Sequence, residues 1–346
     1  MDHTRQGKLI MKKKSLFTRN TMSGATLRSR LTAIATALLL SLSASTTLHA
    51  QLKVLHVDPK DTDPTIETVQ GPHLALYDPQ AASNHRLFVF FVGTNGKAEG
   101  SLKIDTAFAK LGYHAIALDY EDKVVAASCA PSPDIACFDN YREAIVTGAP
   151  VSERINVSRA NSILNRLQKL LVYLAKQYPD GGWGEFVADG QPVWTRIVVA
   201  GHSQGSGHAA YIGKMYKVDK VLMFSGPQDY LTELNKPAPW QARPSATPQS
   251  RYYAFLNLYD PFNVHHQIAN CAVLMGLSNP QPPTIEPGAA IQGNYQILIN
   301  TSHQQPHGST IQPEFENVWD YLGTIGEEDT GLKPSTPPPP QPTPEP

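Results

Sequence analysis

The chain has 346 residues, 41% of them hydrophobic and 17% charged. This is an ordinary globular composition: it excludes a collagen-like, coiled-coil or wholly disordered chain, and the length allows a full core without disulfide staples. The formal charge of −1 hides an asymmetry. The first 50 residues carry eight of the 29 basic residues and one of the 30 acidic ones, leaving −8 for the remainder, without the basic footprint of a nucleic-acid or anionic-membrane binder.

At the N-terminus, Lys12, Lys13, Lys14, Arg19, Arg28 and Arg30 precede an apolar run over 31–42, and Leu48-His49-Ala50 follows before Gln51. A basic stretch, a short apolar core and a small-residue site, in that order, are expected of a secretory signal. A run of about a dozen residues falls short of the ~20 that span a bilayer. Residues 1–50 are therefore read as a signal peptide, with Met11 or Met22 as alternative starts. The mature protein is expected in the periplasm or secreted, with no stable membrane anchor. Residues 334–346 (PSTPPPPQPTPEP) form a proline-rich tail that favours extended conformations and is expected to be disordered. The expected folded domain is 51–333.

Within it, short apolar runs alternate with helix-like segments. Strands are predicted over 52–57, 73–77 and 87–92, the last ended by Gly93-Thr94-Asn95-Gly96. A helix over 104–111 precedes a strand over 114–118. Residues 119–159 read as a long insertion. Cys129 and Cys137 lie eight apart in it with two prolines between them, and they are paired here as a disulfide, which export permits; three free thiols are the alternative. Cys271, in an apolar segment, is left as a buried free thiol. No Cys or His spacing suggests zinc, so no metal is expected. Asn156-Val157-Ser158 is a glycosylation sequon that matters only in a eukaryotic secretory pathway.

A helix over 161–178 carries Ile163, Leu164, Leu167, Leu170, Leu171 and Leu174 on one face. A strand over 196–200 runs into Gly201-His202-Ser203-Gln204-Gly205, and a helix over 205–216 follows. Strands over 220–224, 252–258 and 295–299 and a helix over 314–322 complete the order. Buried strands alternating with helices imply an α/β fold with a mostly parallel central sheet, helices on both faces and loop insertions after strands. Sites in such sheets gather at the carboxyl ends of the strands.

Gly201-His202-Ser203-Gln204-Gly205 has the pattern GxSxG. The five-residue string is weak alone, but here a strand precedes it and a helix follows, which is the context its chemistry requires. A serine on such a tight turn projects into the site, and the helix N-terminus behind it favours developing negative charge.

On these residues the chain resembles the α/β-hydrolase superfamily over about 52–323. The resemblance implies a nucleophilic Ser203, an acid and a histidine in that chain order. Asp260, in Tyr259-Asp260-Pro261 after the strand over 252–258, is the preferred acid, and Asp229, after the preceding strand, is the alternative. His307, beyond the last strand and before Gly308, is the preferred histidine, with His303 as the alternative. The oxyanion hole is expected to use the N–H of Gln204 and a second donor from the 93–96 loop, Thr94 first and Asn95 next. His202 and His208 are expected to pack against neighbouring strands, and His265 and His266 to begin a helix.

The expected activity is hydrolysis of carboxylic esters, carboxylesterase- or lipase-like, through an acyl-enzyme and without a cofactor. The alternatives are another acyl hydrolase or transferase acting on amide or peptide bonds, and a non-catalytic exported binding protein on the same scaffold. A small-molecule or lipid-like ester is the expected substrate; acyl length and oligomeric state stay open. The segment 230–250, with Tyr230 and Trp240, is read as a lid or wall over the site or else a surface loop, and 119–159 as a second segment placed to shape the pocket.

Overall fold

The computed structural model describes residues 51–326. The expected signal and the expected proline-rich tail lie outside the described residues. Among those residues, eight strands form the main sheet: β1 (Lys53–Val57), β2 (His73–Tyr77), β3 (Leu87–Phe91), β4 (His114–Ala117), β5 (Ile197–His202), β6 (Lys220–Phe224), β7 (Tyr252–Asn257) and β8 (Ile297–Asn300). Their spatial order is β1-β2-β4-β3-β5-β6-β7-β8. β2 runs antiparallel to both β1 and β4, and every other neighbouring pair is parallel.

Successive residues of a strand face opposite sides of a sheet. Every residue of β3, β4, β6, β7 and β8 is buried, so both faces of the sheet's interior are covered. That is why these strands read as continuous apolar runs rather than alternating ones. β1, at the antiparallel edge, is half exposed. The covering helices are α1 (Leu102–Lys110), α2 (Cys137–Thr147), α3 (Ile163–Gln177), α4 (Gln204–Met215), α5 (Val264–Met275) and α6 (Glu316–Thr324). α1 packs against α6, and α2 packs against α3 and α4. α3 starts where Ser162 accepts a hydrogen bond from the Asn165 N–H, and its leucine stripe is buried as expected.

This strand order, with an antiparallel second strand, β3 and β4 exchanged, and a strand-to-helix turn at β5, is that of the α/β-hydrolase fold. The register sets the carboxyl ends side by side: Phe91 lies opposite Gly201, His202 opposite Phe224, and Asn257 opposite Asn300.

Two segments differ from the sequence reading. β5 continues through His202, two residues past its expected end. α2 lies inside the 119–159 insertion, where no helix was expected; its N-cap is Ala136, with no capping side chain to announce it. The Cys129–Cys137 disulfide is present and ties the first residue of α2 to the short turn Ala126–Cys129. Cys271 is a free, buried thiol, and burial pushes its pKa up. Among the described residues, no helix is long and apolar enough to cross a membrane.

Candidate active site

β5 ends at His202 and α4 begins at Gln204, so Ser203 alone makes the turn, at φ 57° and ψ −120°. A residue with a side chain held there costs on the order of 1–3 kcal/mol, and the surroundings must enforce it. They do so by close backbone approach. A Cβ on Gly201 would lie 2.3 Å from the Gly205 backbone, and one on Gly205 would lie 2.0 Å from the Phe91 carbonyl oxygen. The Ser203 N–H is anchored on the Phe224 carbonyl of β6 at 2.8 Å.

Asp260 follows β7 and His307 lies on the loop after β8. His307 Nδ1 is 2.8 Å from Asp260 Oδ2. The same carboxylate accepts from Gln267 Nε2 of α5 at 3.0 Å and from the Phe262 N–H at 2.9 Å. Burial works to raise the Asp260 pKa, but the hydrogen bonds from His307 and Gln267 outweigh it and hold the carboxyl below its ordinary value. The charged carboxylate therefore fixes the His307 proton on Nδ1 and leaves Nε2 with a free lone pair when the ring is neutral. The Phe262 ring packs on the imidazole at 4.5 Å between centroids.

His202 packs beside His307, ring centroids 4.8 Å apart, with its Nε2 2.8 Å from the His307 carbonyl oxygen. Burial, reinforced by the neighbouring His307, lowers the His202 pKa to about 4. It is therefore neutral at physiological pH and donates through Nε2–H. The sequence reading had it packing on strands; its main polar contact is with the histidine loop.

Ser203 and His307 line one cavity of about 450 Å³, together with Gly93, Thr94 and Gln204. Among the described residues, neither the Thr94 N–H nor the Gln204 N–H bonds to a protein acceptor, whereas the Asn95 N–H is used on the Asp122 carbonyl at 3.4 Å. Two unpaired donors thus remain beside the serine. The walls are apolar: Val92, Val125, Ala127, Phe262 and Ile311. Of these, Phe262 is 48% exposed and Val125 44%.

Val125 and its neighbours come from the 119–159 insertion, which therefore does shape the pocket. The 230–250 segment does not contribute the expected aromatics. Trp240 is buried, and its indole N–H donates to Asp229 Oδ2 at 3.0 Å. Tyr230 stacks on His266 at 3.7 Å. An indole N–H taken out of water needs an acceptor, and Asp229 supplies it away from the cavity.

The alternative residues lie elsewhere. Asp229 is fully buried and pairs with Arg142, Nη2 to Oδ1 at 2.5 Å and Nε to Oδ2 at 3.0 Å. Burial opposes the Arg142 charge, but the Asp229 carboxylate more than offsets it and raises the guanidinium pKa. His303 is exposed and stacks on Tyr259 at 4.0 Å. His208 is buried beside Arg142 and Tyr120, and His265 and His266 begin α5 as expected. Phe262, Gln267 and the side chain of Gln204 went unnoticed in the sequence, where nothing in their spacing sets them apart.

No family model matches the chain, and no curated protein matches its sequence. Among solved structures it is similar to a bacterial heroin esterase at 15% identity, covering 86% of this chain and 89% of that one, with a TM-score of 0.39. It is also similar to an esterase from Pyrobaculum calidifontis (13% identity, 80% and 86% covered, TM-score 0.36). A third similar structure is esterase B from Lactobacillus rhamnosis (10% identity, 88% and 96% covered, TM-score 0.44). Likenesses this distant say nothing about activity; the fold rests on strand order and the turn at Ser203.

Proposed function

We propose that the chain is an exported serine hydrolase that cleaves carboxylic esters through an acyl-enzyme. The observation that carries this reading is the 2.8 Å contact of His307 Nδ1 with Asp260, on a residue that lines the same cavity as the strained Ser203. His307 Nε2 takes the Ser203 proton as Oγ attacks the carbonyl carbon. The Thr94 and Gln204 N–H groups hold the oxyanion, and His307 then protonates the departing alcohol. Water repeats the sequence to release the acid. Asp260 keeps the imidazole in the required tautomer and stabilises its cation. Serine, imidazole and backbone amides supply every group the two steps use.

The apolar walls favour an ester with an apolar acyl or aryl group, small or lipid-like. The disulfide supports a periplasmic or secreted location. The test is a fluorophosphonate probe and a panel of p-nitrophenyl esters, acetyl to long acyl, applied to the protein from Gln51 onward. Stoichiometric labelling at Ser203, with both labelling and turnover lost in Ser203→Ala, is the expected result. Full esterase activity in Ser203→Ala refutes the assignment. Anilides of the same acyl groups separate amidase from esterase, and absence of both labelling and turnover points to a binding protein.

A further inference from the structure

The backbone of Gln204 is one proposed oxyanion donor; its side chain has separate partners. Gln204 is 2% exposed and its carboxamide is engaged at both ends. Oε1 accepts from Thr94 Oγ1 at 2.9 Å and from the Ala126 N–H at 2.9 Å, while Nε2 donates to the Asp122 carbonyl at 3.3 Å. These partners fix which end is which, because a backbone N–H only donates and a carbonyl only accepts. The Asp122 carbonyl also receives the Asn95 N–H. One carboxamide, carried on the first residue of α4, therefore joins the loop after β3 to two points of the insertion after β4.

The two free N–H groups come from residues 110 positions apart in the chain, and an oxyanion hole works only when both reach the same oxygen at about 2.7–3.1 Å. The Thr94 loop is a turn closed by the Gly96 N–H on the Gly93 carbonyl at 2.9 Å, and neither that bond nor the one from Asn95 to Asp122 involves Thr94 itself. It is bracketed by Gly93 and Gly96, and Asn95 sits at φ 57°. The bond from Thr94 Oγ1 to Gln204 Oε1 is a direct tether between the two donors' residues.

We propose that the Gln204 carboxamide is a positioning group: it sets the Thr94 N–H relative to the Gln204 N–H and, through Ala126, seats the apolar wall of the cavity. This rests on the ester-hydrolase reading above. A substitution that spares both N–H groups but removes the tether should then weaken oxyanion stabilisation and leave substrate binding and the His307–Asp260 pair intact.

Thr94→Val is that substitution, since it keeps side-chain shape and backbone N–H and deletes only the hydroxyl; Thr94→Ser restores the hydroxyl. Loss of a whole oxyanion donor costs about 10²–10³ in kcat, so a displaced donor is expected to cost about ten- to a hundredfold. KM for a short-acyl ester should change little, and Thr94→Ser should recover most of the rate. Gln204→Met should follow Thr94→Val. The diagnostic readout is the rate ratio between a p-nitrophenyl ester and its thiono analogue, whose C=S accepts hydrogen bonds poorly. That ratio should fall by about the same factor as kcat, while the pH profile of kcat/KM stays in place. The proposal is overturned if Thr94→Val keeps wild-type kcat, if kcat falls with the ester-to-thionoester ratio unchanged, or if Thr94→Ser fails to rescue. Each of those outcomes leaves the hydrolase reading standing when Ser203→Ala is dead. An active Ser203→Ala fails that reading instead.

Discussion

Asp229 and Asp260 follow adjacent parallel strands, β6 and β7, and both are buried. Their partners differ. Asp229 meets Arg142, itself fully buried, and the Trp240 indole. Asp260 meets His307 on a loop that faces the cavity. A guanidinium keeps its proton at any working pH, whereas an imidazole exchanges its proton near neutrality. The first pairing is a strut. Arg142 Nη1 also donates to the Gln204 carbonyl at 2.7 Å, so the strut braces the first turn of α4. In the proposed reaction the second pairing orients a base. Asp105 adds a third case, a buried carboxyl with no cation beside it among the described residues. Ser101 Oγ lies 2.8 Å away, and burial, only partly opposed by that bond, pushes its pKa up to about 8. For a buried carboxylate, the chemistry of the partner decides the role.

The largest expected effect is on Asp260. Asp260→Asn keeps the shape but invites the wrong imidazole tautomer, so kcat should fall by about 10⁴-fold while the thermal midpoint stays close to wild type. Steady-state kinetics beside a melting curve check this; a variant that loses stability and keeps turnover would merge the two aspartates into one role. Next is Arg142→Met, which leaves Asp229 buried and unpaired and should cost about 3–5 kcal/mol in urea unfolding. Combining it with Asp229→Leu should recover only part of that loss: the unpaired buried charge is gone, but the Trp240 N–H is left without its acceptor. A single variant as stable as wild type would remove the strut from the comparison.

The last test is the sign of a pH slope. The folded-state pKa of Asp105 lies above its ordinary value of 3.8. Its unfolded form ionises first, and stability falls as pH rises from about 4 to 8, by at most ~1.4 kcal/mol per pH unit. Asp260 has the opposite sign. Its pKa is depressed, so its contribution is present above 3.8 and is lost as pH falls through the lower folded value. The difference between wild type and Asp105→Asn, measured by urea unfolding from pH 4 to 8, isolates the first slope. A flat difference would mean that Asp105 is ionised in the folded protein.

The strands were legible because burial on both faces leaves a plain signature: β3 is an unbroken apolar run, and β6 and β7 are apolar but for Lys220 at the start of one and Asn257 at the end of the other. α3 showed its leucine stripe. The turn at Ser203 was legible because close backbone contact demands glycine on both sides of it. α2 was not, since it opens on Cys137 with no capping residue. In sequence, Asp229 and Asp260 look alike, each a short turn beyond an apolar strand. What separates them is Arg142, 87 positions from Asp229, and no local pattern reports a contact at that distance. The place of Trp240 was missed for the same reason: an aromatic in a proline-rich segment reads as available until its N–H is seen bonded to a buried carboxylate. His202 ends β5 beside the turn, and its contact with the His307 loop spans 105 positions.

The approach of Gly205 to the Phe91 carbonyl has a consequence for how this scaffold can be altered. The strand that leads to the Thr94 loop and the helix that follows the serine meet main chain to main chain, with no side chain between them to trim or enlarge. Ordinary repacking has no handle on that separation. If the proposed hydrolase is to take bulkier acyl groups, the side chains open to change are peripheral, at Val125, Phe262 and Ile311, while the spacing at the Ser203 turn stays fixed by main chain.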